Sequence, residues 1–201
     1  MVRSGDSDAT KPFVTGNSNY GMAWKTFQET VLKGTRGRVV LSAAEAKRFL
    51  AIYFEVFPEI KFFQIGLEEA VKNGVTIRNM FGHPVVFTRR FTAELARTGI
   101  SWIPQSTVGQ CSNIAAVKLR DYIREQRKPW LINNIVHDSI LDEGPQDQAA
   151  DIADVTAKCL TFTFRSPIDD WECTIGVEKQ IGMNWGKYDE TENPEGMKVV
   201  Q

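Results

Sequence analysis

The chain has 201 residues, of which 42% are hydrophobic and 24% are charged. It can therefore bury the core of one large domain or two small subdomains, and it is not a disordered tail. No apolar run approaches the length of a membrane span and the N-terminus lacks a signal-peptide apolar region, which predicts a cytoplasmic protein without a membrane partner. The three cysteines, Cys111, Cys159 and Cys173, lack CxxC spacing, which argues against a disulfide frame or a zinc site.

The basic residues are distributed unevenly, although the formal net charge is only −1. They cluster at 33–38, 89–97 and 118–128, and acidic residues gather at 189–195. Local basic faces can bind phosphate in a chain that is neutral overall. For any single cluster, a solvated helix face is the simpler interpretation.

The first half of the chain is predicted to be helical. One helix begins at Tyr20 and ends at Lys33-Gly34. The capping box Ser42–Glu45 opens a second helix that Pro58 stops, and a third helix closes at Asn73-Gly74. Apolar residues recur on one face of each helix and are predicted to pack in the core: Trp24, Phe27, Val31, Phe49, Tyr53, Phe57, Phe63, Leu67 and Val71.

The second half mixes helices with strands. Short extended pieces are predicted at 75–87, then a helical turn or two that ends at Gly99, then a long helix from about Pro104 to Pro129. A tight hairpin is predicted at 130–143, a helix at 146–160 and a single strand at 172–182. The long helix is predicted to turn one face inward: Val108, Cys111, Ala115, Leu119 and Tyr122. The pattern predicts an α+β fold in two parts with a seam at 99–104.

The stretch VHDSIL, residues 136–141, places a histidine and an aspartate inside an apolar run. Asp138 is either a structural residue at the turn or a metal ligand, because burying a bare carboxylate is costly. A turn between two strands suits a hard cation such as Mg²⁺, but two ions need at least two carboxylates. A metal phosphohydrolase of the HD type would need further ligands, and the only other histidine, His83, lies in a Gly-His-Pro turn.

Six segments, in order, resemble family A DNA polymerases, the DNA polymerase I-like group, and phage versions in particular. VHDSIL resembles motif C, the palm hairpin with HD at its tip, although Ser139 stands where the family usually has Glu. TKPFVTGNSNYGM (10–22) resembles motif B, the fingers helix that ends in Tyr-Gly. Further segments are similar over about residues 10–190: YFEVFPEIKFF (53–63), IRNMFGHPVVF (77–87), ARTGISWIPQSTVGQCSNIAAVKL (96–119) and IGMNWGKYDE (181–190).

The resemblance implies a division of the chain. Residues 11–100 would be a helical fingers-like part with the motif B remnant at 10–22, and the small, polar residues 1–10 before it are predicted to be a flexible lead-in. Residues 101–201 would be a palm-like part, a small antiparallel sheet with flanking helices that carries the motif C hairpin at 130–143. The implied fold class is α+β.

The resemblance also implies roles for single residues. Asp138 would be catalytic as a ligand of Mg²⁺, of which two ions are expected, and His137 would steady the hairpin tip near the primer end. The other roles concern the incoming dNTP and the primer–template DNA. Lys11 would contact the triphosphate, Tyr20 would pack near the templating position, and Arg97 and Gln105 would touch DNA through the backbone and minor groove.

The implied activity is template-directed DNA synthesis in a bacterial or phage-infected cell, by attack of a primer 3′-hydroxyl on the α-phosphate of a dNTP. The sequence does not contain motif A, which supplies the family's second metal-bridging aspartate. We therefore expect a C-terminal fragment that is inactive or nearly so without a separate N-terminal polymerase fragment. The alternative is a non-catalytic remnant or DNA-binding module that keeps the palm fold.

Overall fold

The computed structural model describes residues 21–166 and 170–200. The contacts among these residues divide them into two compact units that meet in sequence between Ser106 and Thr107. Lys11 and Tyr20, for which nucleotide contacts are expected, lie outside the described residues.

The first unit begins with three helices, as predicted: α1 (Trp24–Gly34), α2 (Ala43–Val56) and α3 (Pro58–Lys72). The capping box that opens α2 is present in both directions. The Ser42 hydroxyl accepts from the Glu45 backbone N–H at 3.2 Å, and the Glu45 carboxylate accepts from the Ser42 backbone N–H at 2.8 Å. A short antiparallel pair follows, β1 (Ile77–Arg78) with β2 (Pro84–Val85). The extended pieces predicted at 75–87 are therefore confirmed.

The core of the first unit is smaller than the apolar stripes predict. Leu67, Val71, Ile77 and Ile100 form one buried cluster, and Phe27 and Tyr53 are buried as well. The prediction was wrong for three aromatic residues, since Phe49, Phe57 and Phe63 are 50%, 45% and 43% exposed. The helices α2 and α3 carry apolar residues around more of their circumference than the neighbouring elements cover. Helical spacing therefore identified one face of each helix without showing that it is buried.

The predicted helix end at Gly99 and the predicted helix start near Pro104 are wrong, because a single helix, α4 (Ala93–Glu125), runs through both residues. A Cβ added to Gly99 would lie 2.4 Å from Val71 Cγ2, so this glycine permits close packing and does not end a helix. Pro104 removes one backbone donor. The Ser101 and Ser106 hydroxyls donate to the carbonyl oxygens of Thr98 and Ile103, at 3.1 and 3.2 Å.

The second unit contains the rest of α4, the predicted hairpin and the predicted helix. The hairpin pairs β3 (Leu131–Val136) with β4 (Ser139–Glu143), and a 3₁₀ turn (Gln146–Gln148) leads into α5 (Ala149–Leu160). The core joins these elements through Ala115, Leu119, Ile140 and Leu160. Of the face of α4 predicted to be internal, Val108 is instead 37% exposed.

The C-terminal strands differ from the prediction. Residues 172–182 form two strands, β6 (Glu172–Ile175) and β7 (Lys179–Ile181), because each pairs with a different partner. The partner of β6 is β5 (Phe162–Arg165), and the partner of β7 is β8 (Lys198–Val200), which lies in the polar tail. Helices with small antiparallel pairs confirm the α+β class. In residues 21–166 and 170–200, no helix combines the length and apolarity needed to cross a membrane.

Candidate active site

The HD pair lies at the tip of the β3–β4 hairpin. Val136 pairs with Ser139, so His137 and Asp138 alone make the turn. His137 has a φ of 54°, in the left-handed region that a tight hairpin turn requires and that histidine adopts more readily than most residues. The register shifts between Ile132 and Asn134, which is a bulge that twists the hairpin locally. The predicted hairpin and its turn are confirmed.

Several contacts hold the tip in place. The Ser112 hydroxyl on α4 donates to the His137 carbonyl oxygen at 3.3 Å, and the Ser139 hydroxyl donates to the Val136 carbonyl oxygen at 2.9 Å. One residue after Ser139, Ile140 is completely buried in the core of the second unit. The exposed residues His137 and Asp138 therefore project from a base that is packed and hydrogen-bonded. A metal ligand or a catalytic group at the tip would therefore be held in position before a substrate binds.

The tip alone could supply only part of a metal site. Asp138 presents an exposed carboxylate, the ligand type that Mg²⁺ prefers. The neighbouring Ser139 offers no second anionic ligand, because its hydroxyl is neutral. It is also buried and donates to a carbonyl oxygen. No group of three or more His, Cys, Asp or Glu residues within 21–166 and 170–200 could hold a metal ion. The described residues thus fit one ligand of a Mg²⁺ site and do not complete a site for two ions.

Asp142 is a second unusual carboxylate of the hairpin, and sequence reasoning missed it. One oxygen accepts from the Thr156 hydroxyl on α5 at 2.6 Å, while Asp142 Oδ1 is buried and has no hydrogen-bond partner. Burial raises the pKa of this carboxyl above its usual range, and the Thr156 hydrogen bond opposes the shift. Strand alternation could have found it, because Asp142 lies two residues from Ile140 and so faces the same side of the strand. Asp142 therefore contributes to the packing of the hairpin against α5.

Arg97 and Gln105 lie on the continuous helix α4, and both side chains are exposed. Eight residues along a helix correspond to about 12 Å of rise, so the two side chains can reach separate points on a long ligand. Both precede the division between the two compact units. The helix therefore fixes the spacing between Arg97 and Gln105. Their contact with DNA stays a prediction.

The family model described as DNA polymerase family A matches residues 16–187. The chain belongs to this family. The match includes the hairpin and most of both compact units, and it confirms the family that the motifs indicate.

Two curated proteins are similar to part of the chain. The thermostable DNA polymerases I of Thermus thermophilus and Thermus caldophilus are each 26% identical to it over 153 residues. The aligned region covers 70% of this chain and 17% of each relative. The chain thus spans about one sixth of the length of these family A polymerases.

A solved structure supports the fold. The polymerase domain of Pol1 from M. smegmatis, in complex with DNA primer-template and dNTP, superposes with a TM-score of 0.57 at 15% identity. The superposition covers 71% of this chain and 25% of that one. At this identity the likeness concerns the fold alone, and it agrees with the family A assignment.

Proposed function

We propose that this chain forms the fingers-like and palm-like portion of a DNA-directed DNA polymerase, a nucleotidyltransferase that extends a primer 3′-hydroxyl with dNTPs. The observation that carries the proposal is the position of Asp138, an exposed carboxylate on a fixed two-residue turn, in a chain matched by family A over residues 16–187. The site of action would be the cytoplasm of a bacterial or phage-infected cell.

In this proposal the chain's residues hold and orient the reactants. Asp138 contributes one carboxylate to a Mg²⁺ site, and His137 keeps the tip beside the primer end. Mg²⁺, when bound, would neutralise charge on the reacting phosphates and favour attack by the 3′-hydroxyl, with release of pyrophosphate. Because the sequence contains no segment that resembles motif A, we propose that the second carboxylate comes from a separate N-terminal polymerase fragment.

The remaining proposed contacts grip the nucleic acid and the nucleotide. The Arg97 guanidinium suits a backbone phosphate, and the Gln105 amide suits the acceptors of the minor groove. These groups allow DNA to be held without reading its sequence, as a polymerase requires. Lys11 at the dNTP triphosphate and Tyr20 near the templating base complete the proposed set.

Primer extension with Mg²⁺ tests the proposal. We expect the 201 residues to show little or no synthesis alone and substantial synthesis when combined with a polypeptide that carries the polymerase segments preceding motif B, including motif A. Robust synthesis by the 201 residues alone would show that no outside carboxylate is needed. DNA binding without synthesis in any combination would favour the alternative, a non-catalytic remnant or DNA-binding module.

A further inference from the structure

The loop between α1 and α2 concentrates positive charge. Residues 30–44 contain three basic residues, Lys33, Arg36 and Arg38, and no acidic residue. All three side chains are exposed, and no carboxylate within the described residues forms an ion pair with them. The first carboxylate after the loop, Glu45, accepts hydrogen bonds from the Ser42 hydroxyl and backbone N–H at 2.7 and 2.8 Å. The positive charge of the loop therefore stays available to a ligand.

The backbone of this loop is held in a defined shape. The Thr35 hydroxyl donates to the Val31 carbonyl oxygen at 2.7 Å and accepts from the Val39 N–H at 3.1 Å. The N–H groups of residues 36–38 donate to carbonyl oxygens at 33, 32 and 35, respectively. Arg36 has a φ of 52°, an uncommon conformation for a non-glycine residue that the surrounding hydrogen bonds maintain. Since these N–H groups are all engaged, ligand recognition falls to the side chains.

The two arginines line a common pocket. Gly34, Thr35, Arg36, Arg38 and Val39 surround an open cavity of about 300 Å³. A guanidinium can donate two parallel hydrogen bonds to one phosphate, and its charge is permanent. Because the loop is already ordered by its own hydrogen bonds, binding would immobilise little more than the arginine side chains.

We propose that Arg36 and Arg38 form a binding site for phosphate groups of the DNA backbone. The inference rests on the proposed function, because it takes DNA to be the source of the phosphate. A dNTP triphosphate fits this loop less well, since a triphosphate is accompanied by a metal ion and residues 30–44 offer no carboxylate to hold one. Phosphodiesters bind arginine directly.

The test measures binding of a labelled oligo(dT), a duplex of equal length and dTTP to the 201-residue chain, as a function of salt. Arg36→Gln/Arg38→Gln is compared with Arg120→Gln/Arg165→Gln, which removes the same charge from two arginines already paired with carboxylates. Losing two phosphate contacts should lower the salt slope for the single strand by about 1.4 and weaken its binding about 25-fold near 0.1 M salt. The control pair should change the slope by much less.

Loss of binding to either form of DNA, confined to the loop variant, supports the site. Equal losses in both variants, no loss in the loop variant, a loss confined to dTTP, or no measurable binding by the unmodified chain at low salt would each overturn it. If the double variant fails to fold by circular dichroism, Arg38→Gln alone should lower the slope by about 0.7. Binding does not require Asp138 chemistry, so this inference can fail while primer extension succeeds, and the reverse.

Discussion

The base of the β3–β4 hairpin and the α2–α3 region differ in how fully their apolar side chains are buried. In the second unit the side chains of Leu119, Ile140 and Thr156 are completely buried, and the hairpin rests on them. In the first unit Phe62 and Val40 remain 71% and 76% exposed. The base of the hairpin thus supports one positioned side chain, whereas the α2–α3 region presents apolar side chains on its surface. Rigidity at the hairpin tip follows from a closed core, which apolar content alone does not guarantee.

Truncating one apolar side chain in each unit should give the largest difference. Leu119→Ala opens a cavity among Ala115, Ile140 and Leu160 and should lower the free energy of unfolding by about 2–5 kcal/mol. Phe62→Ala removes a mostly exposed ring and should cost no more than about 0.5 kcal/mol. Urea unfolding followed by circular dichroism measures both. Comparable losses would show that the two regions are packed alike.

The pH dependence of Asp142→Asn should give an intermediate effect. Burial raises the folded-state pKa of Asp142 above its usual 3.8, so the folded chain binds this proton more tightly than the unfolded chain. The contribution of the protonated carboxyl to stability is present below about pH 3.8 and is lost as the pH rises through the raised folded-state pKa. Asparagine stays neutral, so the variant should melt a few degrees higher at pH 7, and the gain should disappear toward pH 3.8.

The control for this measurement is Asp147→Asn, which changes an exposed aspartate in the same unit. It should leave the melting temperature nearly unchanged at every pH. A variant at Asp142 that is less stable than the unmodified chain at pH 7 would indicate that the carboxylate is ionised and favourably placed there.

The smallest predicted effect lies in the first unit, at the capping box of α2. Ser42→Ala removes the acceptor for the Glu45 N–H and should cost about 1 kcal/mol. Ser42→Thr keeps the hydroxyl and should retain most of that stability. Equal losses in both variants, measured by thermal unfolding, would mean that the cap contributes little.

Local signals predicted much of this fold. The Ser42–Glu45 box and the Asn73-Gly74 stop fixed helix boundaries because capping chemistry acts within a few residues. The prediction that Gly99 ends a helix was wrong because the role of this glycine is to pack against Val71, which is distant in sequence. The strands β5 and β8 were missed for the same reason, since pairing with a distant segment is what makes them strands.

The candidate site was predictable in part. The hairpin predicted at 130–143, together with the resemblance of VHDSIL to motif C, placed Asp138 correctly at a hairpin tip. The support from Ser112 on α4 could not be predicted, because it depends on how α4 packs against the hairpin. The burial of Asp142 beside Thr156 depends likewise on how α5 packs against β4.

We propose that Asp138 acts as a metal-binding carboxylate in DNA synthesis. The most direct measurement compares Mg²⁺-dependent primer extension by Asp138→Ala and by Asp147→Ala, each combined with the polypeptide that supplies motif A. Losing a ligand worth several kcal/mol should lower the rate about a thousandfold for Asp138→Ala, while Asp147→Ala should match the unmodified chain. An Asp138→Ala enzyme that extends primers at the unmodified rate would contradict the claim.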